Sequence, residues 1–585
     1  MDHNWLDIRK NLSDLIYASS QKTEGFNKDF EPEVRIADPR FGDFQANGVL
    51  GFAKKNKQKP RALAEALLKQ IKQDQTLDQF DIELSGPGFL NIRVKPEFLQ
   101  GWVKQFNGHC DLTQIYKDKT VVIDYSCPNS AKQMHVGHLR SIIIGECIQR
   151  LMRFCGANVI RDNHIGDWGT QFGILIMAVK REKIDVGKID ESQAIETFER
   201  LYKEGVALTK EDPKYLEEAR RELVALQKGD QENTQIWEKI NEVSYRSFQV
   251  IYDLMDIQFD YVLGESFYRD KVDRVYKELE DLKLAEISNG ALVVFHRDVP
   301  RFKEQPFIVR KSDGASNYAA TDLATILYRV EHFHANEIIY VTDGRQQDHF
   351  QLLFLTVNKW FPSFNRPIPK LDHVWFGTVL GEDGKAIKTR SGESIKLKQL
   401  IDEGISRALE VVKVKNPDLT EEEQKEVARV VGISAIKYAD LSQNRTNDYA
   451  FSWDKMLNFD GNTAPYLLYG VARIYAIFRK MNKDPKAPIN TDNMDLFSSP
   501  EELALAKKLI AFPGVIDQVL EDLRPHFLCK YLFDLTSSFS SFYNVNRIVG
   551  EPEPIENKRV LLCQFTLYIL ETGLKLLGIE TLQKM

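Results

Sequence analysis

Two kinds of apolar periodicity meet between residues 120 and 161. The run Thr120-Val-Val-Ile-Asp124 is short, apolar and β-branched, which predicts a buried strand. After a loop, apolar side chains recur at helical spacing as far as Gly156, namely Leu139, Ile142, Ile143, Cys147, Leu151 and Phe154. A second strand is predicted from residue 158 to 161. The pattern predicts a right-handed βαβ unit whose first loop opens at the carboxyl edge of a parallel sheet, where nucleotides bind.

Helical and strand-like periodicities also divide the rest of the chain. Residues 1–112 are predicted to form a small α/β domain, with a helix at 61–72 and two strands joined by Gly86-Pro-Gly88. The sheet-containing domain is predicted to span 118–415, and its segment from about 180 to 310 to hold helical insertions. The part from 180 to 245 is dense in charged residues and has its clearest breaks at Asp212-Pro213 and Gly229-Asp230. We find no chemistry in it. A third, helical domain is predicted over 416–585, and Thr420-Glu-Glu-Glu423 is predicted to be a capping box that opens a helix.

A second half of the sheet is predicted further along the chain. Residues 318–333 carry an amphipathic helix, and Ile338-Ile-Tyr-Val341 reads as a buried strand. Tyr318 and Asp322 are four residues apart, so they share one face near the start of their helix. A strand ending at Leu380, an Asp-Gly turn and a basic loop containing Lys388 together predict a lid over phosphates.

The composition is that of a globular protein that works in the cytoplasm. Hydrophobic residues make up 43% and charged residues 28%, but no apolar run reaches the ~18 residues of a membrane span. The six cysteines form no Cys-x-x-Cys pair, so neither a protein-held metal nor a disulfide framework is expected. A net charge of -7 argues against a uniformly basic nucleic-acid binder, although local basic surfaces can coexist with it. We expect neither DNA nor a membrane as a partner.

The loop between the first strand and its helix carries the strongest candidate chemistry. A helix beginning near His135-Val-Gly-His138 points backbone N–H groups and its positive dipole end at a phosphate. Gly137 allows a flat ring to approach closely, and two histidines three apart can donate to phosphoryl oxygens as charge develops. The alternative is that the two histidines only cap the helix and fill the core.

This loop resembles the first signature of class I aminoacyl-tRNA synthetases. Its flanks, Ser126-Cys-Pro-Asn-Ser-Ala-Lys132 and Asp162-Asn-His-Ile-Gly-Asp-Trp-Gly-Thr-Gln-Phe-Gly173, resemble arginyl-tRNA synthetases in particular. The resemblance covers essentially the whole chain. It implies a Rossmann-type α/β catalytic domain with a parallel sheet, an N-terminal α/β additional domain and a C-terminal all-α anticodon-binding bundle. The implied activity is ligation of L-arginine to tRNA(Arg) through an arginyl-adenylate formed from ATP.

The resemblance also assigns an arginine pocket. A guanidinium offers five N–H donors in a plane and a permanent charge, so a pocket selective for it needs carboxylates and amide oxygens in a matching array. A lysine ammonium could not make the same set of hydrogen bonds. The alternative for Asp322 is a first-turn charge that favours the helix dipole. The residues implied to bind arginine are Asp124, Asn129, His138, Tyr318, Asp322 and Gln346.

For ATP, the resemblance is incomplete at the second class I signature. Only Lys388-Thr-Arg-Ser remains of the usual Lys-Met-Ser-Lys-Ser, and the loss is expected to be offset by Lys132. Lys132 and Lys388 are then expected to contact the departing phosphates, His135 and His138 the transferring phosphoryl group. Gly137, Val379 and Leu380 complete the implied ATP site. Mg²⁺ is expected to accompany ATP, held mainly by phosphates.

Two surfaces are implied to bind tRNA. In the N-terminal domain, Phe89 is expected to stack on an unpaired base of the tRNA elbow and Asn91 to hydrogen-bond it. In the helical domain aromatic and basic residues interleave, and Tyr466 and Arg473 are the candidates there. Core packing is the alternative for each aromatic residue. Family members commonly need bound tRNA to activate arginine, so we expect that coupling here. We also expect the enzyme to be a monomer.

Three alternatives remain open from the sequence. A small-molecule adenylyltransferase also uses His-x-Gly-His on a Rossmann sheet, but it needs neither the N-terminal domain nor the helical tail. A catalytically silent RNA-binding paralogue is disfavoured by the intact signature and acidic residues. A synthetase for another amino acid is disfavoured as long as Asp124 and Asp322 both face the pocket.

Overall fold

The computed structural model describes residues 5–38, 40–312, 314–385, 387 and 394–585. The chain forms two compact units, one of residues 1–112, 458–575 and 580–585 and the other of residues 113–457 and 576–579. The N-terminal and C-terminal parts of the sequence therefore share the first unit, and the segment between them forms the second.

The N-terminal part of the first unit is an α/β domain built on a four-stranded antiparallel sheet. Its strands are β1 (Val34–Ile36), β2 (Phe44–Ala46), β3 (Phe80–Ser85) and β4 (Phe89–Val94), in the order β1-β2-β4-β3. Its helices are α1 (Ile8–Ser20), α2 (Gly48–Lys55), α3 (Pro60–Ile71) and α4 (Pro96–Phe106). The predicted helix at 61–72 and the two strands around the Gly-Pro-Gly turn are confirmed as α3, β3 and β4.

The second unit contains the predicted parallel sheet. The strands of this unit, in all its sheets, are β5 (Thr120–Asp124), β6 (Asn158–Asp162), β7 (Ala285–Ser288), β8 (Ala291–Val294), β9 (Phe307–Arg310), β10 (Glu337–Tyr340), β11 (Lys370–His373), β12 (Val379–Leu380) and β13 (Tyr449–Ala450). The parallel sheet has the order β11-β10-β5-β6, and Asp124, Asp162 and Tyr340 lie opposite one another at its carboxyl edge. The βαβ unit predicted from periodicity is therefore confirmed.

Helices surround this sheet and form its insertions. They are α5 (Val136–Phe154), α6 (Thr170–Arg181), α7 (Glu191–Glu211), α8 (Pro213–Gln227), α9 (Gln231–Leu254), α10 (Glu265–Tyr268), α11 (Val272–Asp281), α12 (Tyr318–Glu331), α13 (Gln347–Trp360), α14 (Leu397–Lys415), α15 (Glu421–Leu441) and α16 (Trp453–Met456). The charged insertion is α7, α8 and α9, broken at the predicted Asp212-Pro213 and Gly229-Asp230 positions. The insertion packs with α6 in one apolar cluster, which includes Phe172 of α6, Phe198 of α7 and Ile240 of α9.

The second unit extends past the domain boundary expected at residue 415. Helices α14 and α15 both belong to this unit, and α15 begins with the predicted capping box at Thr420 and Glu423. The helices approach closely at two glycines, since a Cβ on Gly432 would lie 2.8 Å from the backbone of Gly404. Residues 416–457 therefore pack with the sheet-containing unit.

The C-terminal helices complete the first unit. They are α17 (Ala464–Met481), α18 (Pro500–Leu509), α19 (Phe512–Asp522), α20 (His526–Val545) and α21 (Glu553–Leu576). Within this unit they pack on the N-terminal domain, where the rings of Trp102 and Phe565 stack at 5.6 Å and Lys507 pairs with Asp43 at 2.9 Å. In the described part of the chain no helix is long and apolar enough to cross a membrane.

Candidate active site at the carboxyl edge of the parallel sheet

The two histidines of the signature loop cap helix α5. His135 is its N-cap, and its Nδ1 accepts the N–H of Gly137 at 3.0 Å. The Nδ1 of His138 accepts the N–H of His135 at 3.1 Å, and the two ring centroids are 4.2 Å apart. A backbone N–H can only donate, so both Nδ1 atoms are acceptors and we assign the proton of each neutral ring to Nε2.

Both histidines are neutral at physiological pH. Burial lowers the pKa of His138 to about 4, and the neighbouring His135 ring adds to this effect. Burial also lowers the pKa of His135, helped by the charge of Lys132. Each ring therefore offers a phosphate an Nε2–H donor without a full positive charge.

Gly137 and Lys132, two residues of the predicted phosphate site, lie at the start of α5 and in the loop before it. Gly137 is exposed at the start of α5, and a Cβ there would lie 2.7 Å from the His135 ring. The Nζ of Lys132 lies 4.8 Å from the centre of the Tyr202 ring on α7. This contact holds the ammonium group against the insertion.

The predicted lid is described as far as its Asp-Gly turn, where the N–H of Gly384 donates to Gly381 O at 2.9 Å. Val379 is buried in β12, where it pairs with Tyr449, and Leu380 is half-buried and pairs with Ala450. Lys388 lies outside the described residues. The strand that leads into the lid is thus attached to the segment that follows α15.

The acidic residue expected in the arginine pocket, Asp322, lies beside a histidine that the sequence analysis gave no role. His349 Nε2 is 2.6 Å from Asp322 Oδ2, and its ring packs edge-on against Tyr318 at 5.1 Å. Tyr318 is 63% exposed, so its ring borders an open space. Gln346 is also exposed and lies one turn before His349. The structure therefore groups Tyr318, Asp322 and His349, with Gln346 near the same helix start.

Asn129 reaches the same sheet edge through a tight backbone pairing. Residues 129 and 166 form a parallel bridge, with the N–H of Ser130 donating to Gly166 O at 3.1 Å. A Cβ on Gly166 would lie 2.0 Å from Asn129 Oδ1, so only glycine fits beneath this amide. Asn129 itself is exposed.

Asp124 does not face an open pocket as the sequence analysis assumed. Its carboxylate is buried, with Oδ2 accepting from Arg329 Nη2 at 2.6 Å and Oδ1 accepting from Cys127 Sγ at 2.9 Å. The same Arg329 Nη2 donates to Asp162 at 2.8 Å. Both oxygens of Asp124 are therefore engaged within the fold. Arg329 was missed, although its position seven residues after Asp322 puts both on one helical face.

A second acidic residue that the sequence analysis missed is Glu265, at the start of α10. Burial is the main reason that its pKa is raised to about 7. His164 lowers this pKa, whereas the carboxylates of Asp322 and Asp167 raise it further. Within the described residues its carboxylate accepts no hydrogen bond. Asp167, by contrast, is held by the N–H and hydroxyl of Ser266 at 2.8 and 2.6 Å. No local sequence signal marks Glu265, because its neighbours are far away in the chain.

The predicted tRNA contacts lie on the first unit. Phe89 and Asn91 are half-buried on one face of β4, and Asn91 Oδ1 accepts from Gln45 Nε2 at 2.7 Å. Tyr466 on α17 packs against Phe533 at 5.4 Å. Phe89 and Asn91 therefore share one face of their strand.

Arg473, also on α17, lies between two tyrosines. Its guanidinium carbon is 4.7 Å from the ring centre of Tyr469 and 5.8 Å from that of Tyr543. Both rings are more than 40% exposed, at 43% and 41%. An exposed stack of aromatic rings and a guanidinium is the kind of surface on which bases stack.

The fold and the site together define a nucleotide-binding enzyme of the Rossmann type. Comparison with models of known families matches residues 105–453 to "tRNA synthetases class I (R), catalytic domain". Residues 467–585 match "DALR anticodon binding domain", and residues 7–94 match "Arginyl tRNA synthetase N terminal domain". The chain belongs to the arginyl-tRNA synthetase family.

Individual relatives agree with the family match over nearly the full length. The arginine–tRNA ligase of Saccharophagus degradans is 40% identical over 99% of this chain and 100% of its own. That of Nostoc punctiforme is 42% identical over 94% and 95% of the two chains. The arginyl-tRNA synthetase of Plasmodium falciparum superposes with a TM-score of 0.82, at 31% identity over 99% of both chains. The Thermus thermophilus enzyme, at 23% identity over 99% of this chain and 100% of its own and a TM-score of 0.83, supports the fold.

Proposed function

We propose that this site activates L-arginine with ATP and transfers it to the 3′ end of tRNA(Arg). The arginine carboxylate attacks the α-phosphate and pyrophosphate leaves, after which a ribose hydroxyl of the tRNA displaces AMP from the adenylate. Membership of the arginyl-tRNA synthetase family makes the chain an arginine–tRNA ligase. The observation that carries the proposal is the pair of neutral histidines at a helix start, on the same sheet edge as an acidic pocket.

The phosphate half of the site works by positioning and charge stabilisation. The Nε2–H groups of His135 and His138 and the N-terminus of α5 point at the transferring phosphoryl group, where charge develops. Lys132, together with Lys388 from the lid, stabilises the departing pyrophosphate. Gly137 lies under the adenine, and Val379 and Leu380 border it. The magnesium complex of ATP is the substrate, with its metal carried by the phosphates.

The arginine half of the site supplies negative charge for the guanidinium. The Asp322 carboxylate adds to the raised pKa of Glu265, so a guanidinium between the two carboxylates relieves their repulsion. Tyr318 and Gln346 line the opening, while Asn129 and His138 face the α-amino and carboxylate end. Asp124 acts through Arg329 and Cys127, because its own oxygens are engaged.

The first unit supplies the tRNA contacts in this proposal. Phe89 and Asn91 read an unpaired base of the elbow, and Tyr466 and Arg473 stack on anticodon bases. Arginine activation then waits for tRNA to bind. The enzyme works as a monomer in the cytoplasm.

A charging assay tests the proposal. Purified protein, ATP, Mg²⁺ and tRNA(Arg) are incubated with labelled arginine, and acid-precipitable tRNA is counted. We expect arginine to be attached, while lysine and the uncharged analogue citrulline fail. Attachment of citrulline as readily as arginine would contradict an acidic pocket, and no attachment by folded protein would support a silent paralogue.

A further inference from the structure

The backbone of the signature loop is strained at three residues that are not glycine. Ser126, Cys127 and Ala131 have φ values of +77°, +47° and +65°. Side chains disfavour this left-handed region, so such residues persist only where the surroundings hold them. The strained residues flank Asn129 and immediately precede Lys132, the two loop side chains that the proposed function places on substrates.

Each of the three strained residues has its backbone N–H bound by a side chain from a different element. Ser126 donates to Ser141 Oγ on α5 at 2.9 Å, and Cys127 donates to Asn163 Oδ1 after β6 at 3.1 Å. Ala131 donates to Ser244 Oγ on α9 at 2.9 Å. These three acceptors together fix the path of the loop.

Helix α9 contributes a second residue to this arrangement. The hydroxyl of Tyr252 lies 2.8 Å from Ser126 Oγ and accepts from Asn163 Nδ2 at 2.9 Å. Asn163 therefore holds Cys127 with its oxygen while Tyr252 holds the nitrogen of the same amide. Ser126, Asn163, Ser244 and Tyr252 are all buried, with 4%, 1%, 0% and 4% of their surface exposed. Water does not compete for these hydrogen bonds.

We propose that helix α9 of the charged insertion is a positioning element for the active site. Ser244 fixes the position of Lys132, and Tyr252 fixes the position of Asn129. The inference rests on the proposed roles of Lys132 toward ATP and of Asn129 toward arginine. It assigns a task to an insertion in which the sequence pattern shows no chemistry. Neither Ser244 nor Tyr252 touches a substrate.

The two contacts act on opposite ends of the loop, so their loss has different consequences. Without the Ser244 hydroxyl, the N–H of Ala131 is left without an acceptor and the adjacent Lys132 loses its fixed position. Without the Tyr252 hydroxyl, Asn163 is released and Cys127, two residues before Asn129, can relax. A merely structural pair of residues would weaken both substrate sites together.

The experiment measures aminoacylation of tRNA by Ser244→Ala and Tyr252→Phe variants of the full chain. Specificity constants are determined for ATP at saturating arginine and for arginine at saturating ATP. Ser247→Ala, on the same helix, is the matched control for Ser244. Tyr531→Phe, which removes a buried hydroxyl that bonds Lys508 O in the other unit, is the control for Tyr252. The thermal midpoint of every variant is recorded.

We expect Ser244→Ala to lower kcat/KM for ATP by about tenfold, the usual effect of one unsatisfied buried donor, with a smaller change for arginine. We expect Tyr252→Phe to lower kcat/KM for arginine more than kcat/KM for ATP. Both control variants should keep both specificity constants within twofold of the parent. Equal losses for both substrates, no loss, or failure of either variant to fold would each overturn the proposal, since all three assign α9 to packing alone.

Discussion

At the scale of single residues, the site contains two kinds of carboxylate. Asp124 and Asp162 share the buried guanidinium of Arg329, so both already have a cationic partner within the fold. Asp322 pairs with His349, and Glu265 accepts no hydrogen bond from the described residues. A cationic substrate therefore gains most from Asp322 and Glu265, because no guanidinium of the fold is bound to that pair.

Replacing Asp322 by asparagine tests the acidic pocket. Asn keeps the size of the side chain but removes its charge, and a hydrogen bond to a charged group is worth about 1.5–3 kcal/mol. We expect the KM for arginine to rise roughly 10- to 100-fold with the KM for ATP nearly unchanged. Asp402→Asn, an exposed carboxylate paired with Lys398, is the control. An unchanged KM for arginine would remove Asp322 from the pocket.

The pH dependence of arginine binding tests Glu265. Its pKa is raised to about 7 in the folded protein, and the charged form is the one that attracts a guanidinium. As the pH falls below about 7 the carboxyl is protonated, so the KM for arginine should rise towards tenfold for each unit. Glu265→Gln should flatten this profile. The rise should not come from His138, whose pKa of about 4 keeps it neutral throughout.

Removing Arg329 tests its structural role. Arg329→Met would leave Asp124 and Asp162 buried without their cation, which typically costs about 3–5 kcal/mol. We expect urea unfolding to show a loss of that size in the unit that holds the sheet. Arg407→Met, at an exposed i,i+4 pair, should change the free energy of unfolding by less than about 0.5 kcal/mol. Equal effects of the two changes would contradict the buried network.

At the scale of elements, local pattern predicts what is local. Strand β5, helix α5 and the insertion breaks follow from apolar spacing and from proline and glycine positions, and the structure confirms them. The spacing of Arg329 from Asp322 marks their shared helical face, but local pattern could not pair Arg329 with Asp124, which lies 205 residues earlier in the chain. Glu265 could not be assigned either, because its neighbours are far away in the chain. The sequence also gives no sign that residues 416–457 pack with the sheet, because α15 has the composition of any bundle helix. We now propose that the catalytic domain ends near residue 457.

The close packing of α14 on α15 provides a test at this scale. Gly432→Ala puts a methyl group 2.8 Å from the backbone of Gly404, so the helices must separate, at a cost of about 1–3 kcal/mol. Gly51→Ala in α2 is the matched control, because nothing lies within 4 Å of its new Cβ. There alanine should stabilise the helix by about 0.5–1 kcal/mol. Thermal unfolding that shows stabilisation by both changes would contradict the close approach.

At the scale of the whole molecule, we propose that the two compact units divide the work. The second unit holds the histidine pair, the proposed acidic pocket and the strand that enters the predicted lid, which are the parts proposed to form the adenylate. The first unit joins the N-terminal domain and helices α17–α21, and it carries the residues proposed to contact tRNA. This division agrees with the three family models that match the chain in succession.

The most direct test of the account is arginine-dependent exchange of pyrophosphate into ATP, measured with and without tRNA(Arg). We expect exchange with arginine only when tRNA is present, and a loss of exchange in a His138→Asn variant that remains folded. Exchange without tRNA would support arginine activation at this site but contradict its dependence on tRNA bound to the first unit. No exchange by the folded parent protein under either condition would contradict the assignment of the site.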